Sequence, residues 1–164
     1  KTTSQLEELK KVPGLEFLEF NSDLVLDGEA FAKEIQDTVR REEELIRAGK
    51  TVVVYTRRKL LVIENDTREE ALLRSVKISE AVQSLVGKLS VTPAFVIAKG
   101  GITSSDVGTK ALQVKRADVM GQIRPGIPVW KTGEESRFPG IPYVIFPGNV
   151  GEVTTLREAV EILK

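Results

Sequence analysis

Apolar and polar positions along this chain fall into blocks that predict strands and helices in turn. Uninterrupted apolar runs, typical of buried parallel strands, occur at Thr51–Thr56, Phe95–Ala98 and Tyr143–Phe146. A looser alternation at Leu15–Phe20 also predicts a strand. Between these runs, apolar residues recur at helical spacing. The helices predicted from this spacing are an opening helix from Thr3 and others at Gly28–Ala48, from Thr67 to about Leu85, at Val107–Val114 and at Thr155–Leu163.

The segment from residue 117 to residue 131 has a different pattern. Val119, Gly121 and Ile123 stand at alternate positions and Pro125-Gly126 marks a turn, so β structure is expected there. A Gly- and Pro-rich loop is predicted from Lys131 to Pro142. The alternation of strands and helices predicts an α/β fold, a three-layer sandwich with a mostly parallel sheet between the helices. Residues 117–146 are expected to add antiparallel strands at one edge of this single domain.

The amino-acid composition argues against several classes of function. The 164 residues include 24 basic and 24 acidic side chains, and this balance argues against non-specific nucleic-acid binding. Without cysteine or histidine, a thiol nucleophile, a Ser-His-Asp triad and His-ligated zinc are excluded. No apolar stretch has the length of a membrane span and no secretion leader is present, so we expect no membrane partner and a cytoplasmic location.

A glycine pair after the strand at Phe95–Ala98 is the first candidate site. Gly100-Gly101 separates this strand from a helix-like segment, an arrangement that lets backbone N–H groups approach a phosphate. The spacing is not that of a P-loop, and the third glycine of the dinucleotide fingerprint is missing. The candidate phosphate contacts are Gly100, Gly101, Ile102, Thr103 and Ser104, with the Ser105 hydroxyl as a further donor. The structural alternative is a capped helix start, because Thr103 and Asp106 are spaced as in a capping box.

A second glycine element follows the strand at Tyr143–Phe146. Its candidate contacts are Pro147, Gly148, Asn149 and Gly151, at a strand end where open α/β sheets bind ligands. An ordinary strand-to-helix turn is the alternative. Two such elements in one small domain suggest a nucleotide held between two loops. Weaker candidates are Lys99 and Arg57-Arg58 for phosphate, Trp130 and Phe138 for stacking on a base, and Asp106, Glu134 and Glu135 for a cation.

The two glycine motifs, in this order, resemble the C-terminal domain of the four-carbon acid sugar kinases. The motifs are Lys-Gly-Gly-Ile-Thr-Ser-Ser-Asp at residues 99–106 and Phe-Pro-Gly-Asn-Val-Gly at residues 146–151, and the similarity covers essentially the whole chain. The resemblance implies an ATP-binding domain contacting nucleotide through Gly101, Thr103 and Ser104 and through the second motif. It also implies Mg²⁺ as cofactor, and a tetronate or 3-oxo-tetronate as the acid that a separate N-terminal domain binds.

Because an α/β domain usually opens on a strand, we interpret the chain as the C-terminal part of a longer two-domain kinase. Catalytic residues and metal ligands are not assigned. One departure from the family pattern is Phe146-Pro147, where many members have Lys-Ser. It motivates an alternative hypothesis, a non-catalytic nucleotide-binding or regulatory module. A dinucleotide-binding oxidoreductase domain ranks last because of the missing glycine. Exposed apolar surface could support a homo-oligomer.

Overall fold

Five helices and six strands make up the computed structural model, which describes residues 1–164, and they alternate except where β4, β5 and β6 follow one another. The helices are α1 (Thr2–Leu9), α2 (Gly28–Arg47), α3 (Arg68–Gly87), α4 (Gly101–Asp106) and α5 (Thr155–Leu163). The strands are β1 (Leu15–Phe20), β2 (Thr51–Thr56), β3 (Val96–Lys99), β4 (Ala117–Arg124), β5 (Ile127–Thr132) and β6 (Pro142–Phe146). A short 3-10 helix covers Ser22–Leu26, and a π-helical turn at Val107–Ala111 continues α4. The α/β class predicted from the sequence is confirmed.

The strands form two sheets rather than the one sheet that was predicted. β1 and β2 pair in parallel, and a separate four-stranded sheet has the order β3-β6-β5-β4. In this second sheet β3 and β6 are parallel, whereas β5 pairs antiparallel with both β4 and β6. The antiparallel edge expected between residues 117 and 146 is therefore present. β5 extends to Thr132, so the loop that follows it begins later than predicted.

Apolar side chains from both sheets share the same core layers. Phe17 and Val53 pack against a cluster that also contains Val144 and Phe146 from the second sheet, under α1 and α5. On the opposite side, Val39 of α2 contacts a cluster under α4 and another under α3. Hydrophobic burial therefore holds the two sheets together although no backbone ladder joins them.

Local sequence signals account for the long helices. Thr67 begins α3 with a reciprocal capping box, in which its hydroxyl accepts from Glu70 N and the Glu70 carboxylate accepts from Thr67 N. The Asp27 carboxylate accepts from Ala30 N at the start of α2, and Gly49 adopts a left-handed φ of +79° just after the end of this helix. Thr67 and Asp27 are residue types that favour the N-cap position, and glycine favours the position after a helix end.

The first and last helices pack against each other. Gln5 Nε2 in α1 donates to Glu152 O just before α5, at 3.0 Å, and Gln5 is fully buried. Arg157 Nη1 donates to the Glu8 carboxylate at 2.9 Å. This pairing covers one side of the four-stranded sheet and places α1 beside the second glycine element. No helix combines the length and the hydrophobicity that crossing a bilayer requires.

Candidate functional site

The two glycine elements meet at one edge of the four-stranded sheet. β3 and β6 are parallel neighbours, with Lys99 opposite Phe146 in the last register position, so both chains leave the sheet at the same edge. Gly100 N donates to Phe146 O at 2.8 Å. A Cβ atom added to Gly148 would lie 4.0 Å from the Gly100 Cα. The expectation that two loops lie side by side is thus matched by the geometry of this carboxyl edge.

The first turn depends on Gly100, which has φ +107° and precedes the first residue of α4. This backbone conformation is unfavourable for residues with a Cβ atom. Gly101 begins the helix, and a Cβ atom added there would have no neighbour within 4 Å. The Thr103–Asp106 capping box is wrong, because the N-cap is Gly100 and no side chain caps α4. Ile102 is 74% exposed beside the turn.

Ser104 contributes to the structure below the turn. Its side chain is buried, and its hydroxyl donates to Ala98 O at 2.9 Å, while the Tyr143 hydroxyl donates to Ser104 O. These bonds fasten α4 to β3 and β6. Ser104 thus positions the turn from beneath, whereas the Thr103 side chain is only half-buried. Their contacts with nucleotide stay a prediction.

Lys99 joins the two turns, a role that the sequence did not indicate. Its ammonium donates to Gly148 O at 3.0 Å and lies 4.7 Å from the centre of the Phe146 ring. Burial lowers the pKa of Lys99, and the charge of Lys1 lowers it further. The Lys1 ammonium donates to Asn149 O at 3.2 Å. Two ammonium groups therefore lie against the second turn and make the edge favourable for an anion.

The second turn is fixed by Gly151 and by the start of α5. Gly151 has φ +82°, and a Cβ atom added there would lie 2.7 Å from the Thr155 Cβ. The Thr155 hydroxyl accepts from Glu152 N at 2.7 Å, which holds the chain between the turn and the helix. Pro147 and Gly148 are half-buried, whereas Asn149 is exposed at the tip. All four predicted positions in this turn therefore lie at the same edge as Gly100 and Gly101.

The weaker candidates lie elsewhere or have other partners. Arg57 donates to the carboxylates of Glu19 and Asp23, and Arg58 donates to Thr56 O. Phe138 is buried in a core cluster, so it cannot stack on a ligand. Trp130 is only partly buried.

The three candidate cation ligands do not converge. Asp106 accepts from the Ser79 hydroxyl, and Glu135 accepts from the backbone N–H groups of Lys115 and Arg116. No group of three acidic side chains is close enough to hold a metal ion. These residues therefore fit Mg²⁺ only if most of its ligands are phosphate oxygens and water molecules, as is usual for magnesium bound to a nucleotide.

Paired glycine turns at the carboxyl edge of parallel strands, with ammonium groups beside them, define an α/β nucleotide-binding domain. The family described as "nucleotide-binding C-terminal domain" matches residues 1–156. The chain belongs to this family. The resemblance inferred from the two glycine motifs is therefore confirmed. No protein of curated function matches the sequence.

Solved structures share the fold at low sequence identity. A Bordetella bronchiseptica protein of the DUF1537 family, the four-carbon acid sugar kinase family, superposes with a TM-score of 0.70 at 21% identity. It is described as a domain-swapped dimer with bound citrate. A Salmonella typhimurium protein described as a putative tRNA synthase has a TM-score of 0.70 at 15% identity. A Haemophilus influenzae protein, also of the DUF1537 family, has a TM-score of 0.64 at 20% identity.

These alignments cover most of this chain but a minor part of each neighbour. The match spans 98% of this chain and 37% of the Bordetella protein, and 99% of this chain and 38% of each of the other two. At these identities the likeness concerns the fold alone. This likeness does not show that the chain shares the ligands or activities of the longer proteins.

Proposed function

We propose that this chain is the ATP-binding half of a kinase that phosphorylates four-carbon sugar acids, a tetronate or 3-oxo-tetronate. The observation that carries the proposal is the junction of the two glycine turns, where Lys99 of the first element donates to Gly148 O of the second. Membership of the nucleotide-binding family and the DUF1537 neighbours support it. The acid would bind to a separate N-terminal domain of the complete kinase.

In this proposal the domain neutralises and positions the phosphates. Phosphoryl transfer needs in-line placement and charge stabilisation more than covalent help from the protein. Backbone N–H groups at Gly101 and Ile102 would face the phosphate oxygens, and the Lys99 ammonium would supply positive charge. Mg²⁺ bound through the phosphates would screen the remaining charge. The base that activates the sugar hydroxyl would come from the substrate domain.

Gly101→Val is expected to weaken nucleotide binding strongly without unfolding the chain. Space is open around the Gly101 Cβ position, and the left-handed conformation of the turn belongs to Gly100, so the fold tolerates the branched side chain. The same side chain would occupy the approach to the N–H groups. We expect the affinity for Mg-ATP and Mg-ADP, measured by calorimetry, to fall at least ~30-fold, the equivalent of roughly 2 kcal/mol.

Gly28→Val is the matched control, because Gly28 is also the first residue of a helix with no atom within 4 Å of its Cβ position. This variant should bind nucleotide like the parent chain. Equal affinity of the parent and of Gly101→Val would contradict the placement of the phosphates. Circular dichroism of both variants verifies that the fold is kept.

The chain by itself is expected to bind nucleotide and to phosphorylate nothing. Transfer requires the acid and its activating base within reach of the terminal phosphate, and the proposal places both in the N-terminal domain. The measurement is ADP release from ATP with a tetronate or 3-oxo-tetronate as acceptor, with and without the substrate domain. Robust phosphorylation by residues 1–164 alone would contradict the assignment of the acid site and the base to the N-terminal domain.

A second candidate is a regulatory module that binds nucleotide without catalysis. It is favoured by Phe146-Pro147, which replaces a lysine and a hydroxyl with groups that cannot contact phosphate. The Lys99 ammonium lies 4.7 Å from the centre of the Phe146 ring, so one positive charge is present beside this turn. Nucleotide binding by the full-length protein without any transfer to a sugar acid would favour the regulatory module.

The location and assembly of the protein are part of the same proposal. We place it in the cytoplasm, where ATP is available. The unpaired sheet edges and the exposed Val119 and Met120 of β4 offer surface for a homo-oligomer. The dimer described for the Bordetella neighbour is consistent with such an assembly.

A further inference from the structure

A cavity of about 280 Å³ opens beside α4 and borders the first glycine turn. Gly101 lies on its rim, while Val114, Trp130 and Ile145 supply apolar walls and Ser105 and Thr109 line the helix side. Trp130, Tyr143 and Ile145 come from neighbouring strands on the same side of the sheet. The cavity therefore extends from the phosphate edge along the open sheet surface next to the helix.

We propose that this cavity holds the nucleobase of the bound nucleotide, an inference that rests on the proposed nucleotide site. Val114, Trp130 and Ile145 are each only half-buried, so a planar ring can cover apolar surface there. The volume lies just below the range of about 300–1,000 Å³ that is typical of sites for whole small molecules. It suits one ring system, with the ribose and phosphates outside towards Gly101.

Most polar side chains that line the cavity already form hydrogen bonds within the protein. The Thr109 hydroxyl donates to Ser105 O at 2.9 Å, and the Ser104 and Tyr143 hydroxyls are bonded to backbone carbonyls. Ser105 carries the one lining hydroxyl without a protein partner, and no lining side chain is charged. The base would be held by stacking and apolar contact. ADP and GDP should consequently bind with affinities within about tenfold of each other.

Trp130 is the only tryptophan of the chain, so its fluorescence reports on the cavity directly. Mg-ADP is expected to change the Trp130 emission, whereas Mg-pyrophosphate at the same concentration leaves it unchanged. An emission that stays constant while calorimetry shows ADP saturation would overturn the assignment of the base. An equal change with pyrophosphate would overturn it as well.

Ser105→Phe tests the same site by filling it. Ser105 is exposed, so the fold tolerates the larger side chain, and the ring would occupy the place assigned to the base. We expect at least a tenfold loss of ADP affinity. Ser75→Phe on the exposed side of α3 is the control and should bind ADP as the parent does. Unchanged affinity of Ser105→Phe refutes the base site alone, whereas a parent chain that binds no ADP refutes the nucleotide site too.

Discussion

Gly151→Ala is expected to lower the free energy of unfolding by about 2–4 kcal/mol. Gly151 has φ +82°, a conformation that costs an L-residue with a Cβ atom about 1–2 kcal/mol. The added methyl group would also meet the Thr155 side chain at 2.7 to 2.8 Å, far inside van der Waals contact. Thr155 is buried at the start of α5 and its hydroxyl accepts from Glu152 N, so it has little freedom to move away.

Urea unfolding of the variant and the parent measures this loss. Gly28→Ala provides the comparison, since that glycine has open space and no left-handed conformation, and its stability should change by less than about 1 kcal/mol. Combining Gly151→Ala with Thr155→Gly removes the Thr155 Cβ and with it the steric clash, but not the backbone strain. A smaller loss from Gly151→Ala in the Thr155→Gly background than in the parent would show that the clash contributes, and the loss that remains would come from the backbone strain. A Gly151→Ala chain as stable as the parent would disprove the account of this turn.

Glu42→Gln is expected to stabilise the protein by roughly 1–3 kcal/mol at pH 7.5. Glu42 lies in α2 and is 5% exposed, with one carboxyl oxygen that has no hydrogen-bond partner. Burial raises the pKa of Glu42 from 4.5 to about 8, and the neighbouring charge of Glu43 contributes to the rise. At neutral pH the folded protein therefore holds a proton that the unfolded chain has released.

The sign of the pH dependence follows from this difference in bound protons. The contribution of Glu42 is fully present below pH 4.5 and is lost as the pH rises to about 8. Glu42→Gln should flatten the fall in stability across this window, because the amide does not titrate. Glu44→Gln, on the exposed side of the same helix, should leave the slope unchanged. Parallel stability curves for the parent and Glu42→Gln would contradict the buried, protonated state.

The elements of the fold could be predicted because their signals are local. The β-branched run at Thr51–Thr56 and the spacing of apolar residues in α5 depend on neighbouring positions alone. The division into two sheets could not be predicted, because pairing joins residues distant in sequence. β3 and β6 are neighbours although the whole β4–β5 hairpin lies between them in the chain.

The sequence predicted where the backbone turns of the candidate site lie, but not which bonds the side chains around them form. Glycine turns after apolar strands indicated Gly100 and Gly148, since such turns follow from chain geometry. The bridge from Lys99 to Gly148 O depends on the parallel register of β3 and β6, so the sequence offered Lys99 only as a candidate phosphate contact and did not indicate this bond. The Thr103–Asp106 spacing matched a capping box, but the helix begins at Gly101, which places Thr103 inside its first turn.

The packing of α1 against α5 has a consequence for the order of folding. The contact between Gln5 and Glu152 closes a loop of nearly the entire chain, which carries a large entropy cost before any interaction repays it. The β4–β5 hairpin closes through a short turn and can form early. We therefore expect α1 to dock late in refolding and to detach first in the native state. Release of α1 would uncover Leu156 and Val160 and remove the support beneath the second glycine turn while the sheets remain folded.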